Sequence, residues 1–451
     1  MHASQSSATE RYHSLLTDDI AAESQAQLDD QLRLRGLQFG DRPLCTVLRP
    51  RWMSAERYRF LQVTGALILR AFRRAHDAAL ADPALLGQFG LTDWERELVR
   101  DDPGFRDSSP LSRLDAFFGD DGQLKFTEYN AETPAGSAYN DVLSEVFYGL
   151  PVMREFLREW DARPLPARHN VLHGLLDAYR QWSGSNRLPR IAIVDWSDVP
   201  TRSEFLLFQD YFRRQGVGCV LADPRTMEYR AGVLLAEGGP VDLIYKRVLI
   251  SELIADGGLD QPLVRAVRAR AACMVNPFRC KILHKKSSLA VLGDERNAHL
   301  FSPEEQRAIE AHIPWTRVVE ERRTLHEETK VDLVPWIAEH RERLVLKPHD
   351  EYGGKGIVLG WEVSDELWRD TLAIALREPY IVQERVPLPS EPYPSLVDGK
   401  VVIADRMLDT APYVAYGRYV DGCLTRLSTA ALLNVTAGGG STVPTFVVER
   451  R

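Results

Sequence analysis

The chain has few cysteines, and they are poorly spaced for chemistry. Its 451 residues hold five: Cys45, Cys219, Cys273, Cys280 and Cys423. The number is odd, the positions are scattered and no C-x-x-C occurs, which argues against a disulfide framework and a zinc knuckle. A reducing cytosol fits this usage. No apolar run approaches the ~20 residues needed to span a bilayer. The stretch 65–72 is too short, is flanked by arginines and reads as a core-facing helix. The first 30 residues are polar and acidic with no apolar h-region, so no signal peptide is expected. Positive charge is not in excess either. Lys and Arg number 56 against 64 Asp and Glu, for a net charge of −8. Broad nucleic-acid binding needs a basic field to displace counterions, and this balance argues against it. G-x-G-x-x-G and G-x-x-x-x-G-K-[ST] are both missing, so neither a dinucleotide turn nor a P-loop is indicated.

What is present is an ordinary globular composition, 44% hydrophobic and 27% charged. The length suffices for two or three packed units. Residues 1–40 read as a polar tail running into a helix. Between 54 and 80, Tyr58, Leu61, Leu67, Ile68 and Phe72 recur at helical spacing. Further helical patterns follow in 140–160 and 168–182. Residues 188–246 alternate strand, helix, strand and strand, which suggests a partly parallel, Rossmann-like layer. Residues 281–342 read as mostly helical, with Ser302 and Glu305 spaced as a capping box. From 343 onward the pattern is strand-rich and punctuated by glycine.

Three segments carry candidate chemistry. In the first, 113–118 and 123–129 read as strands joined by Gly119-Asp120-Asp121-Gly122. A regular four-residue loop sets Phe118 opposite Gln123 and Arg113 opposite Glu128. Alternation then puts Arg113, Asp115, Glu128 and Asn130 on one face. Two carboxylates, an amide oxygen and a guanidinium suit nucleotide-bound Mg²⁺, which takes hard oxygens and few carboxylates. The arginine suits a transferring phosphoryl group. The same residues would also make a plain surface hairpin with a cross-strand ion pair. A one-residue change of register would split the four between faces.

In the second segment, a strand ending in Lys347-Pro348 runs into HDEYGGKGIVLG, and strand character resumes at 357–360. Glycines 353, 354 and 356 let backbone N–H groups close over anionic oxygens, with Lys355 at the tip and Lys347 at the base. Those parts suit a triphosphate; a plain turn with solvated lysines is the alternative. The third segment, Tyr380-Ile381-Val382-Gln383-Glu384-Arg385-Val386, is an apolar strand running into polar residues, where an adenine could bond to backbone. An ordinary sheet strand reads the same way.

Together these segments resemble an ATP-grasp enzyme whose order is circularly permuted, like the glutathionylspermidine synthase-like group. That group's R-x-D…E-x-N-x-x-T-P pattern is matched by Arg113-Leu114-Asp115 and by Glu128-Tyr129-Asn130-Ala131-Glu132-Thr133-Pro134. Lys286 in HKKSSLAVL resembles its first nucleotide lysine and Lys347 in VLKP its second. Gln383, Glu384, Arg385 and Val386 resemble its adenine hinge. YVAYGRYVDG and LLNVTAGGGSTVPTF resemble stretches of uncharacterised members. No amidase domain is expected, so the resemblance covers the synthetase half, roughly 40–451.

The implied fold is α/β (α+β), a permuted ATP-grasp with an inserted Rossmann-like layer. Residues 1–40 precede it. Residues 41–185 hold part of the C-lobe with the metal hairpin, 186–280 the Rossmann-like unit and 281–342 the helical part of the N-lobe. Residues 343–382 hold the glycine lid, and 383–451 the hinge and the rest of the C-lobe. The implied activity is an ATP- and Mg²⁺-dependent, ADP-releasing ligase joining a small-molecule or peptide carboxylate to an amine through an acyl phosphate. It would be cytoplasmic, with neither nucleic acid nor membrane as partner. A phosphotransferase or a non-catalytic nucleotide-binding protein are the alternatives. By resemblance, Asp115, Glu128 and Asn130 hold Mg²⁺, and Arg113 stabilises the moving phosphoryl group. Lys286 and Lys347 neutralise phosphates, and Tyr352, Gly353, Gly354, Lys355 and Gly356 cover them. Arg247 and Asn434 are candidates for the substrate.

Overall fold

The structure, a computed structural model, describes residues 2–351, 354–429 and 440–451. Among the described residues the largest sheet has nine strands and gathers both halves of the chain. Ser390–Val397, Lys400–Leu408, Tyr419–Ser428, Ala411–Ala415, Leu111–Phe118 and Leu124–Asn130 follow one another across it. Ser441–Arg450 branches off, pairing with Tyr419–Ser428 and also with Arg51–Met53 and Trp160–Pro164. Thus the early hairpin is hydrogen-bonded to a strand about 300 residues later in the chain, with Tyr413 opposite Arg113.

A helix, Ala55–Ala81, lies against this sheet. Ser54 caps it, accepting from the Arg57 N–H at 3.2 Å. Leu61, Ile68, Phe72, Ala75 and Ala79, spaced by three, four or seven, are buried at 1% exposure or less. Phe72 packs on Tyr129 of the hairpin with ring centroids 4.6 Å apart. Each such apolar burial contributes roughly 1.5–3 kcal/mol for the larger side chains, which fixes the hairpin from behind. Gly65 sits where the helix comes closest to the sheet: a Cβ there would lie 2.5 Å from Val420 Cγ2.

Residues 1–40 are not a loose tail. His2–Leu15 and Asp18–Leu34 are helices. Ala8, Tyr12, Ala21, Leu28 and Leu32 are buried, and Tyr12 packs edge-on to Trp52 and Phe156. The polar residues occupy the other faces, so mean polarity hid an apolar stripe.

Residues 191–275 form a parallel four-stranded sheet. Its order is Cys273–Val275, Leu243–Lys246, Ile191–Val194, Cys219–Ala222, with Arg202–Arg214 as the helix between the last two. Both faces are covered by buried apolar clusters, as a parallel sheet requires. A third sheet, antiparallel, runs Thr316–Val318, Tyr380–Glu384, Leu344–Pro348, Val358–Leu359. Asp365–Ala375 backs it, burying Trp368 completely. The Ser302–Glu305 capping box is present on Pro303–His312. No helix among the described residues is long and apolar enough to cross a membrane.

Candidate active site

The hairpin Leu111–Phe118/Leu124–Asn130 does not have the register expected from a regular four-residue loop. Phe118 faces Leu124 rather than Gln123. Continued regularly, that shift would put Glu128 and Asn130 on the opposite face from Arg113 and Asp115. A bulge prevents it: Ala116 pairs with Phe126 but Asp115 pairs with Glu128, so Thr127 is the extra residue. Arg113 then faces Asn130, and all four side chains come together after all. Two departures from regularity cancel.

Arg113 grips Asp115 with two hydrogen bonds, 2.6 Å to Oδ1 and 2.9 Å to Oδ2, and donates a third to the Ala135 carbonyl at 2.8 Å. Asn130 donates its amide N–H to Asp115 Oδ2 at 3.1 Å. Arg426 donates to the same oxygen at 2.8 Å and its Nε bonds Asp409. Burial raises the Asp115 carboxyl, but Arg113 and Arg426 outweigh it and hold it well below the usual carboxylate range. Glu128 is treated alike. Burial raises it, Lys286 and Lys347 lower it against Asp115, and the balance is downward. Both carboxylates are therefore ionised at neutral pH.

The lysines reach the same place from the other side. Lys286 Nζ lies 3.1 Å from Glu128 and donates to the Glu351 carbonyl at 2.6 Å. Lys347 donates to Gln383 Oε1 at 2.7 Å and approaches the Thr127 carbonyl, on the bulge, at 3.4 Å. Burial brings the Lys347 ammonium down to about 8. Four cations, Arg113, Arg426, Lys286 and Lys347, thus surround three carboxylates, Asp115, Glu128 and Asp409.

Between the hairpin and the antiparallel sheet lies a cavity of about 630 Å³. Arg113, Asp115, Glu128, Asn130, Asp409 and Arg426 line one side. Lys347, Gly354 and Gln383 through Val386 line the other, with Val345, Ile357, Leu359, Trp361 and Leu388 giving an apolar wall. Gln383 is buried, donating to Thr316 Oγ1. Glu384 is held by His326 and Arg343, and the Arg385 guanidinium stacks 4.1 Å above Trp361. The N–H groups of Glu384 and Arg385 bond to the Trp315 and Arg343 carbonyls. Lys355 points outward, with a side chain 78% exposed and paired to Glu351. Gly356 has φ +72°, and a Cβ there would meet Pro348 at 3.1 Å. Tyr352, Gly353 and Asn434 lie outside the described residues, as do Gly438 and Gly439.

Arg247 is not where a substrate carboxylate would find it. It is buried behind the cavity wall, donating to the Pro134 carbonyl and lying over the Phe205 and Tyr245 rings. Glu204, also buried, accepts from Gly136 N–H at 2.7 Å and Ala138 N–H at 3.1 Å. These two residues, with Arg113 and Tyr413 bonding the Ala135 carbonyl, clamp the turn 133–136 that lines the cavity. Asn276, following the last parallel strand, bonds to Leu111 N–H and to the Leu111, Ala131 and Glu132 carbonyls, fixing both ends of the hairpin. Arg426, Asp409, Glu204 and Asn276 are site residues that the sequence did not disclose. Only their types, not any spacing, could have suggested them.

The donors fit Mg²⁺ arriving with a nucleotide. Asp115, Glu128 and the Asn130 amide are hard-oxygen groups on one cavity wall, and phosphate oxygens and water ordinarily complete such an octahedron. Among the described residues no group of three His, Cys, Asp or Glu could hold a metal unaided.

No protein-family model matches the chain, and no curated protein matches its sequence. Its structure is similar to that of a glutathione synthetase-like effector (GSS30) from Globodera pallida in its apo form. The TM-score is 0.61 at 14% identity, over 95% of this chain and 96% of that one. The likeness covers nearly all of both chains, so the two share a fold. D-alanyl-alanine synthetase A from Vibrio cholerae aligns over 48% of this chain and 66% of its own, at 11% identity and TM-score 0.25. A RimK domain ATP-grasp protein from Sphaerobacter thermophilus aligns over 57% and 90%, at 16% identity and TM-score 0.27. Those two superpose too loosely to bear on the fold.

Proposed function

We propose that this chain is an ATP- and Mg²⁺-dependent ligase that joins a carboxylate to an amine through an acyl phosphate, on a circularly permuted ATP-grasp fold. The observation that carries the reading is the single cavity in which Arg113, Asp115, Glu128 and Asn130 face Lys347 and the 383–386 segment, groups separated by more than 200 residues in sequence. Permutation is supported by the sheet in which the hairpin pairs with Ala411–Ala415. On this reading the parallel sheet of 191–275 is the inserted Rossmann-like layer.

The adenine lies along the apolar wall, against Val386, whose N–H bonds no described residue. Lys286 and Lys347 neutralise phosphates. Asp115, Glu128 and Asn130 hold Mg²⁺, which, when bound, neutralises phosphate oxygens as charge shifts onto them. A substrate carboxylate oxygen forms a bond to the γ-phosphorus as the bond to the β,γ-bridging oxygen breaks and ADP leaves. The amine nitrogen then bonds to the acyl carbon, phosphate departs and the nitrogen sheds a proton. Arg113 and Arg426 sit where negative charge develops, held in place by Asp115 and Asp409, so they stabilise it without reorganising. The 133–136 turn and the glycine loop exclude water, which would hydrolyse an acyl phosphate.

An ADP-release screen of amino acids, small peptides and polyamines, with mass spectrometry of products, tests this. ADP and phosphate should form only with acid and amine both present, and the product should gain no phosphorus. A phosphorylated product, or ATP that fails to bind with Mg²⁺, refutes it.

A further inference from the structure

Behind the cavity is a second, buried set of charges that the proposed chemistry does not use. Glu132, two residues past Asn130, is 1% exposed. It accepts from the Ile250 N–H at 2.6 Å and Lys246 at 3.2 Å, with Lys281 3.3 Å away. Lys281 donates to both oxygens of Asp350, at 2.6 and 2.8 Å. Lys285 lies 2.8 Å from Glu95 and 3.0 Å from Asp350. Three ammoniums, Lys246, Lys281 and Lys285, therefore balance three carboxylates, Glu95, Glu132 and Asp350. Its members stabilise one another, because a buried charge robbed of its partner is costly; Asp350 is the most exposed of them. It joins five segments: the extension of the hairpin, the helix Asp93–Leu98, the end of the parallel strand Leu243–Lys246, the 281–286 stretch and the base of the glycine loop.

Lys285 and Lys286 are adjacent and chemically identical, yet they go opposite ways. Lys285 turns back into the buried set, while Lys286 reaches Glu128 and the Glu351 carbonyl. Asp350 stands at the fork. It holds Lys285, and the carbonyls on either side of it, His349 and Glu351, take the Lys286 N–H at 3.0 Å and the Lys286 ammonium at 2.6 Å. We propose that Asp350 is a positioning residue: anchored through Lys281 to Glu132, it sorts the two lysines and sets the Lys286 ammonium beside Glu128, where a Mg²⁺-nucleotide is met. This rests on the nucleotide-binding reading above.

The test is calorimetric titration of the whole chain with ATP and Mg²⁺, beside thermal melting of each variant. Asp350 has a side chain 28% exposed, so the isosteric Asp350→Asn is the first variant. It should stay folded and bind about tenfold more weakly, the size of one displaced charge-assisted hydrogen bond. Asp350→Glu should recover most of the loss. In a Lys286→Gln background, Asp350→Asn should cost less than about twofold further, since both changes remove the same contact. The proposal is overturned if folded Asp350→Asn binds like wild type, if it only lowers the melting temperature, or if the two losses multiply independently. Wild-type protein that binds no ATP with Mg²⁺ would instead remove the functional reading, and this inference with it.

Discussion

Nucleotide binding should take up a proton above neutral pH, and Lys347 is the group that takes it. Burial is the largest influence on its ammonium and brings it down from 10.5 to about 8, against a weaker upward pull from Glu128. Because the folded value lies below the unfolded one, the charged lysine costs the nucleotide-free fold stability below about pH 8. That cost is relieved as pH rises from about 8 toward 10.5. A phosphate beside the ammonium favours the charged form and restores the ordinary value. In the free protein Lys347 is then about three-quarters charged at pH 7.5 and about 3% charged at pH 9.5, whereas the complex keeps it largely charged at both. Mg²⁺-ATP binding should weaken roughly 25-fold over that range, about 1.9 kcal/mol. Calorimetry at pH 8.5 in two buffers of different ionisation enthalpy should return about 0.7 proton taken up per nucleotide. Lys347→Arg, which does not titrate, should take up none. Zero uptake by the wild type, or equal uptake by both proteins, would refute the reasoning.

Arg113→Ala should slow ADP release about 10²–10³-fold while changing ATP affinity far less, because its role lies in the transition state; wild-type turnover would show the assignment wrong. Glu128→Gln should raise the Mg²⁺ concentration needed for half-saturation with ATP, and an unchanged Mg²⁺ titration would count against Glu128 as a ligand. Gly136→Ala should lower the denaturant midpoint by an amount equivalent to about 1–3 kcal/mol. Its φ is +103°, and a Cβ would stand 2.6 Å from the Tyr413 hydroxyl and 2.7 Å from Leu424. All five cysteines are buried and unpaired, with thiols pushed up by burial, to about 11 for Cys45 and Cys423 and about 12 for Cys219. The native protein should therefore react with almost no thiol reagent at pH 8, and the denatured chain with five equivalents.

The local elements were legible because their signals are local. The Ala55–Ala81 helix, the Ser302 cap and the strand–glycine–strand geometry of 344–359 follow from periodicity and turn chemistry. The hairpin shows the limit. Its four polar side chains converge as expected, but through a longer loop and a bulge at Thr127 that alternation alone does not reveal. Of the two lysines in HKKSSLAVL, the resemblance singles out Lys286; where Lys285 goes instead depends on where Glu95 and Asp350 stand. Arg426 gave no signal, since an arginine on a strand acquires a role only when Asp115 and Asp409 are brought beside it. Arg247 differs for the converse reason: at a strand end it is a candidate for a substrate carboxylate, but the turn 133–136 and Glu204 cover it.

The hairpin's pairing with Ala411–Ala415 has a consequence for the chain as it is made. The hairpin emerges from a ribosome roughly 300 residues ahead of its partner, an interval of about 15–60 s at ordinary synthesis rates of about 5–20 residues per second. During that interval one side of Leu111–Phe118 is an open sheet edge, able to pair with another nascent copy. That edge closes only once residues 411–415 have been made, so yield should respond to slower expression and to chaperone supply.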